Sequence, residues 1–175
     1  MNNQKLFVKV LAFLSLLSGI IWLGSYLTRM IISYSHFDIR LSLLVTADNE
    51  VLKSILMTVN PAVIATFISY IIFIITFTLF IIFSKINLKK NGWLFIIVLI
   101  VYVTFPFEAY LMTFDYKLIY ELNFNKLFNP GYCMGLIRER FIRLNGFPVV
   151  IVLSYCSIVY FLLFKPFSNN TKDEN

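Results

Sequence analysis

The sequence predicts an all-α membrane protein with four transmembrane helices, and three observations support this fold class. First, 59% of the 175 residues are hydrophobic and only 14% are charged, whereas soluble domains average about 25% charged residues. Second, four long stretches are almost free of charge, and a charged side chain at the centre of a spanning helix costs roughly 2.5–3.5 kcal/mol. Third, the alternation of polar and apolar residues that marks a membrane β-barrel is not seen.

The four spans follow from these apolar stretches and from signals at their ends. We place them at about residues 6–28, 61–84, 93–112 and 147–165 of a single polytopic domain, 1–175. Each has close to or more than the ~20 residues that cross a bilayer. Each must be helical, because lipid offers no partners for backbone polar groups. The outer segments 29–60 and 113–146 then share one side, and residues 168–175 form a polar tail.

The first span has an alternative interpretation as a cleaved signal peptide, with Lys5 and Lys9 ahead of an apolar core. Against this, the apolar run continues to Thr28, and no small-residue cleavage site follows it. We therefore predict that the first span is a retained helix.

The start of the second span is predicted from Asn60 and Pro61. Asparagine is a good N-cap, and proline is favoured at the first position of a helix, where its missing N–H is not needed. The preceding residues 49–59 carry apolar side chains on one face and are capped by Asp48. This pattern predicts a separate short helix in the membrane interface.

A second interfacial helix is predicted in the outer segment 113–146, after the turn Asn129-Pro130-Gly131. Beyond this turn, Glu139 and Arg143 are spaced to pair four residues apart on one face. Apolar side chains share another face of the same predicted helix: Met134, Ile137, Phe141 and Leu144. The pattern is typical of an amphipathic helix that leads into the fourth span.

The distribution of basic residues predicts that both termini are cytoplasmic in a cell membrane. In that orientation the inside segments have about twice the density of Lys and Arg of the outside segments, as the positive-inside rule expects. The short connection that contains Lys85, Lys89 and Lys90 gives the clearest support for a cytoplasmic location of that side. All five arginines, however, fall on the predicted outer side.

Apart from Lys9 and Lys165, which lie near the ends of their spans, Glu108 is the one charge inside a predicted span, and it is the first candidate for a functional residue. A carboxylate beside Pro106 can line a polar pocket, since a proline frees a backbone carbonyl and ionisable groups within membranes are commonly functional. Equally, it can reach the surface or pair with an arginine. Asp115, seven residues later, shares its face if the helix continues.

Three arginines precede the fourth span, at Arg138, Arg140 and Arg143. Three roles remain open for them. They can anchor the helix to phosphate head groups, bind an anionic ligand such as a lipid-linked phosphate, or pair with carboxylates of the neighbouring helix. The ligand role would also involve Asp115.

Cys133, His36 and Arg143 all fall on the predicted outer side. With the run Cys133-Met134-Gly135-Leu136-Ile137-Arg138, this set resembles the exosortase type of membrane transpeptidase. The resemblance implies a thiol nucleophile at Cys133 assisted by His36. Four spans are fewer than that family uses, and His36 has no motif around it.

Taken together, these features favour a non-catalytic accessory or assembly subunit of a cell-envelope system, with the lipid bilayer and another membrane protein as partners. The alternative is a small enzyme or transporter for lipid-linked anionic substrates, in which Glu108 is the acid or base. We expect no cofactor and no metal site, because the ligand clusters and nucleotide motifs are missing. No basic stripe with interleaved aromatic residues suggests binding of nucleic acid.

Overall fold

The computed structural model describes residues 2–37, 48–143 and 147–167. Five helices follow one another: α1 (Asn2–Tyr34), α2 (Asn49–Ser84), α3 (Gly92–Phe124), α4 (Pro130–Arg143) and α5 (Phe147–Phe164). Within these ranges there is no strand. Four of the helices, α1, α2, α3 and α5, are long and apolar enough to cross a membrane. The chain is thus an all-α, multi-pass membrane protein, as the composition predicts.

The predicted helix break at Pro61 is wrong, because Pro61 lies inside the continuous helix α2. A proline in a helix removes one backbone hydrogen bond, here the bond to the carbonyl of Met57. Packing outweighs this loss, since Leu56 and Val59 before the proline and Val63 after it are buried in one cluster. Residues 49–59 are helical, but they form the first turns of α2 and not a separate helix.

Helices α1 and α3 also continue beyond their predicted ends. In α1 the helix passes Arg29 and ends at Tyr34, so Arg29 is not in a loop. In α3 it continues twelve residues beyond the predicted end at 112. At 1.5 Å per residue, α3 is about 50 Å long, whereas the hydrocarbon core of a bilayer is about 30 Å thick. Helix α3 is therefore longer than the hydrocarbon core is thick.

The two ends of the bundle differ in their charges. At one end, which we call the lysine end, α1 begins, α2 is followed by α3 through Lys85, Lys89 and Lys90, and α5 ends. Close contacts tie these elements together: the rings of Phe7 and Phe83 are 5.4 Å apart, and the backbone N–H of Gly92 donates to the carbonyl of Phe167 at 3.3 Å. The opposite, arginine end holds Arg29 and helix α4.

Two hydrophobic clusters make up the core. The first surrounds Trp22 in the middle of the spans, with aromatic residues from α1, α2 and α5. The second lies at the arginine end, where α4 packs against the start of α2 and the end of α3. Helix α4 begins at Pro130, so two of the three residues of the predicted turn, Pro130 and Gly131, already belong to the helix. Helix α4 buries its predicted face through Met134, Ile137 and Phe141. The predicted fourth residue, Leu144, lies outside the described residues, as do 38–47 and 168–175.

Candidate functional site

Four charged side chains are buried together where α1, α3 and α4 meet at the arginine end. Helix α3 supplies Glu108 and Asp115, which are two turns apart and share one face, as predicted for a continuing helix. Helix α1 supplies Arg29, and helix α4 supplies Arg140. None of the four residues is more than 6% exposed. We call this group the ion cluster.

Arg140 is the central member of the ion cluster. Its Nη2 donates a hydrogen bond to Glu108 Oε2 at 3.0 Å, and its Nη1 lies 2.7 Å from Asp115 Oδ2. The same oxygen of Asp115 lies 2.9 Å from Arg29 Nη1. One guanidinium therefore bridges two carboxylates of α3, and one carboxylate bridges two arginines from different helices.

The phenol ring of Tyr26 packs against both arginines of the cluster. The guanidinium carbon of Arg29 lies 5.4 Å from the ring centre, and that of Arg140 lies 5.9 Å from it. Both distances are within the range of cation–π attraction. The aromatic face therefore adds favourable electrostatics at a place where water is scarce.

Not every polar atom of the cluster has a well-aligned partner. Glu108 Oε1 and Ser33 Oγ have no hydrogen bond within the described part of the chain. The close contacts of Asp115 Oδ2 likewise lack hydrogen-bond alignment, although the charges are within 3 Å. A cavity of about 10 Å³ touches Ser33, Arg29, Asp115 and Arg140, which is close to the space that one water molecule needs.

The ion cluster is electrically balanced, with two arginines and two carboxylates. Burial of single charges is very costly, whereas a paired set retains most of its Coulomb attraction in a low-dielectric environment. The cluster is thus suited to hold three helices in one register. Of the roles open for Glu108, the structure places it in a pair with an arginine, and of the three arginines considered it selects Arg140.

The other two candidate arginines do not join Arg140. Arg138 and Arg143 are exposed, and Arg143 Nε donates to Glu139 Oε2 at 2.9 Å, as its spacing predicts. An anion clamp of three converging arginines is therefore not formed. Arg138 and Arg143 lie on the exposed face of α4, where side chains can contact phosphate head groups.

Cys133 is fully buried in the core at the arginine end. Burial, with a smaller contribution from the charge of Glu121, raises the pKa of the Cys133 thiol to about 11. At neutral pH the group is thus a thiol and not the thiolate that acts as a nucleophile. His36, the other residue of the transpeptidase pattern, is half-buried in the turn after α1.

Arg29 is the member of the cluster that sequence reasoning missed. A charge at the end of an apolar run indicates the end of a span, so the sequence pattern places Arg29 in the outer segment 29–60. A helical face with Trp22, Tyr26, Arg29 and Ser33 was nevertheless visible in the sequence at spacings of four, three and four residues. All four of these residues are buried.

Among the described residues, no three His, Cys, Asp or Glu side chains are grouped so as to hold a metal ion. Comparisons with protein-family models, curated proteins and solved structures give no match to this chain.

Proposed function

We propose that this chain is a non-catalytic, multi-pass subunit that assists or assembles a larger cell-envelope system. The observation that carries the proposal is the ion cluster, because it uses the buried ionisable residues to join α1, α3 and α4. Glu108 and Asp115 are both engaged with arginines. The adjacent cavity of about 10 Å³ has room for a water molecule and not for a substrate.

An enzyme or transporter for lipid-linked anionic substrates is the second possibility, and it has less support. It requires Glu108 to accept or release a proton and the arginines to remain open to an anion. Here the charge of Arg140 is balanced by Glu108 and Asp115. A thiol transpeptidase would need an accessible thiolate, and Cys133 is buried with a raised pKa.

A partner surface is proposed on the part of α3 that extends beyond the membrane core. Three aromatic side chains there are spaced four residues apart and point outward: Tyr116, Tyr120 and Phe124. Phe124 is 74% exposed, and the turn that follows adds Leu127, which is 93% exposed. Tyrosine and phenylalanine are enriched in protein interfaces, and a connected apolar patch outside lipid is typical of a binding site. We call this patch the α3 ridge.

Site-specific photo-crosslinking in cells tests this proposed surface. A photoreactive amino acid at Tyr120 or Phe124 is expected to give a discrete crosslinked product with one membrane protein, which mass spectrometry identifies. The matched control places the same amino acid at Ile75, an exposed position in the apolar second half of α2, where lipid contact is expected. Phe124→Asp should abolish the crosslink from Tyr120, because a carboxylate disrupts an apolar interface.

The proposed surface is contradicted if crosslinks from Tyr120 and Phe124 are as diffuse as those from Ile75. In that case the ridge contacts head groups of the bilayer, where aromatic residues are also common.

We further propose that the lysine end is cytoplasmic and that the arginine end, with the α3 ridge, faces outward from the cell membrane. Support comes from the gathering of Lys5, Lys9 and Lys165 with the α2–α3 connection at the same end of the bundle. Short connections rich in lysine stay on the cytoplasmic side.

Single cysteines at two exposed positions test this orientation. In a Cys133→Ser/Cys156→Ser background, Asn125→Cys is expected to react with an impermeant maleimide added to whole cells. Asn87→Cys in the α2–α3 connection is expected to react only after the membrane is opened. The reverse pattern would show that the lysine end faces outward.

A further inference from the structure

An apolar groove runs along the lysine half of the bundle, between α1 and α5. It has a volume of about 190 Å³ and is open on one side. Helix α1 packs along α2, and α5 packs against α3, whereas α1 and α5 are not an extensively packed pair. The side chains that line it include Ala12, Leu16 and Leu23 of α1, Trp93 of α3, and Ile158 and Leu162 of α5.

The groove has the length of one membrane leaflet. Along α1 it extends from Ala12 to Leu23, which is about 16 Å of helix. Half of a hydrocarbon core of about 30 Å is about 15 Å. At the middle of the bundle the groove is closed by Trp22 and Tyr155, whose rings are 4.5 Å apart. The groove thus lies in the lysine half of the bundle and stops at the middle of the spans, where we place the bilayer centre.

Three lysines lie at the lysine end of the bundle, beyond the residues that line this groove. On α1, Lys5 and Lys9 precede Ala12 and Leu16 at helical spacing, so they continue the face that lines the groove. On the opposite wall, Lys165 follows Leu162 directly after α5, and its Nζ lies 5.7 Å from the ring centre of Trp93. The apolar groove is thus capped by positive charge.

We infer that this groove binds one acyl chain of an anionic phospholipid, with its phosphate held by Lys5, Lys9 and Lys165. An apolar groove within the spans excludes polar ligands, and its extent over one leaflet matches a lipid tail. A transmembrane helix, about 10 Å wide, would cross both leaflets, whereas the contact of Trp22 with Tyr155 closes the groove halfway. Lysines near an anionic surface favour anionic lipids. The inference does not depend on the proposed function.

Native mass spectrometry of the full chain in mild detergent tests the lipid site, with phosphatidylglycerol and phosphatidylcholine as probes. The wild-type chain is expected to retain one phosphatidylglycerol in preference to phosphatidylcholine. Lys5→Gln/Lys9→Gln/Lys165→Gln should weaken phosphatidylglycerol binding about tenfold or more. The matched control, Lys85→Gln/Lys89→Gln/Lys90→Gln, removes the same charge from the same end and should bind as the wild type does.

A second variant tests the groove itself without changing any charge. Ala12→Phe places a ring in the groove and should remove the single tightly retained lipid. Val10→Phe adds the same ring at an exposed position two residues earlier, which does not line the groove, and should retain it.

Several results would overturn the inference. An equal loss of phosphatidylglycerol binding in the two triple Lys→Gln variants would show that binding depends only on the overall charge. Equal retention of phosphatidylcholine and phosphatidylglycerol would show no role for the lysines. Unchanged retention in Ala12→Phe would show that the lipid lies elsewhere. Should Ala12→Phe fail to fold, the comparison of the two triple lysine variants, which change only exposed side chains, still decides between the site and general charge.

Discussion

Arg140→Met is expected to lower the free energy of unfolding by about 3–5 kcal/mol, because it leaves Glu108 and Asp115 with only Arg29 to balance them. Among the residues that the structure describes, Arg140 makes the one well-aligned hydrogen bond of the ion cluster, and it contacts both carboxylates. Methionine fills a similar volume, so the loss reports on charge more than on packing. The measurement is unfolding by sodium dodecyl sulfate in mixed micelles, together with the amount of protein in the membrane.

The matched control for this change is Arg143→Met on the same helix. Arg143 is exposed, and its pair with Glu139 is a surface pair four residues apart. Such pairs contribute about 0.3–0.5 kcal/mol. If Arg143→Met destabilises the protein as much as Arg140→Met does, the ion cluster is not what holds the helices together.

Trp22→Ala is expected to cost about 3 kcal/mol or more, since it opens a large cavity in the middle of the bundle. Trp22 is fully buried, and its ring centre lies 5.0 Å from that of Tyr70 and 4.5 Å from that of Tyr155. Inside a membrane, close packing of this kind replaces the hydrophobic effect as the force between helices. Thermal unfolding in detergent measures the loss.

Two control variants separate packing from other effects at Trp22. Trp22→Phe should cost much less, because Trp22 Nε1 has no hydrogen-bond partner within the described part of the chain and the aromatic contact is kept. Ile20→Ala removes a side chain that is 69% exposed and should be nearly neutral. A loss in Ile20→Ala equal to that in Trp22→Ala would contradict the packing argument.

The number of spans was predictable from the sequence, because the cost of burying charge in lipid leaves long uncharged runs between the charged residues. Helix ends were less predictable. Asn60 and Pro61 are favoured at a helix start, but in the folded chain Nδ2 of Asn60 donates to Oδ1 of Asn123 at 3.2 Å. This contact between α2 and α3 is tertiary, and no local pattern indicates it.

The candidate site was predictable in part for the same reason. Glu108 stood out because it is charged inside an apolar run, and its pairing with an arginine was one of the options considered. Which arginine it meets depends on how α4 packs against α3. The role of Arg29 was hidden because its partner, Asp115, is 86 residues away in the chain, and only the packing of α1 beside α3 and α4 brings the two charges together.

The central claim is that the ion cluster is a charge-balanced group that stabilises the packing of three helices. The most direct test measures the free energy of unfolding of Glu108→Gln/Arg140→Met and of the two single variants. Removing one charge of each sign leaves Arg29 paired with Asp115, whose atoms are 2.9 Å apart. The double variant is therefore predicted to be more stable than Arg140→Met alone, with a coupling energy of about 1–3 kcal/mol. If the decreases in the free energy of unfolding of the two single variants simply add in the double variant, the charges do not form a balanced unit and the account is contradicted.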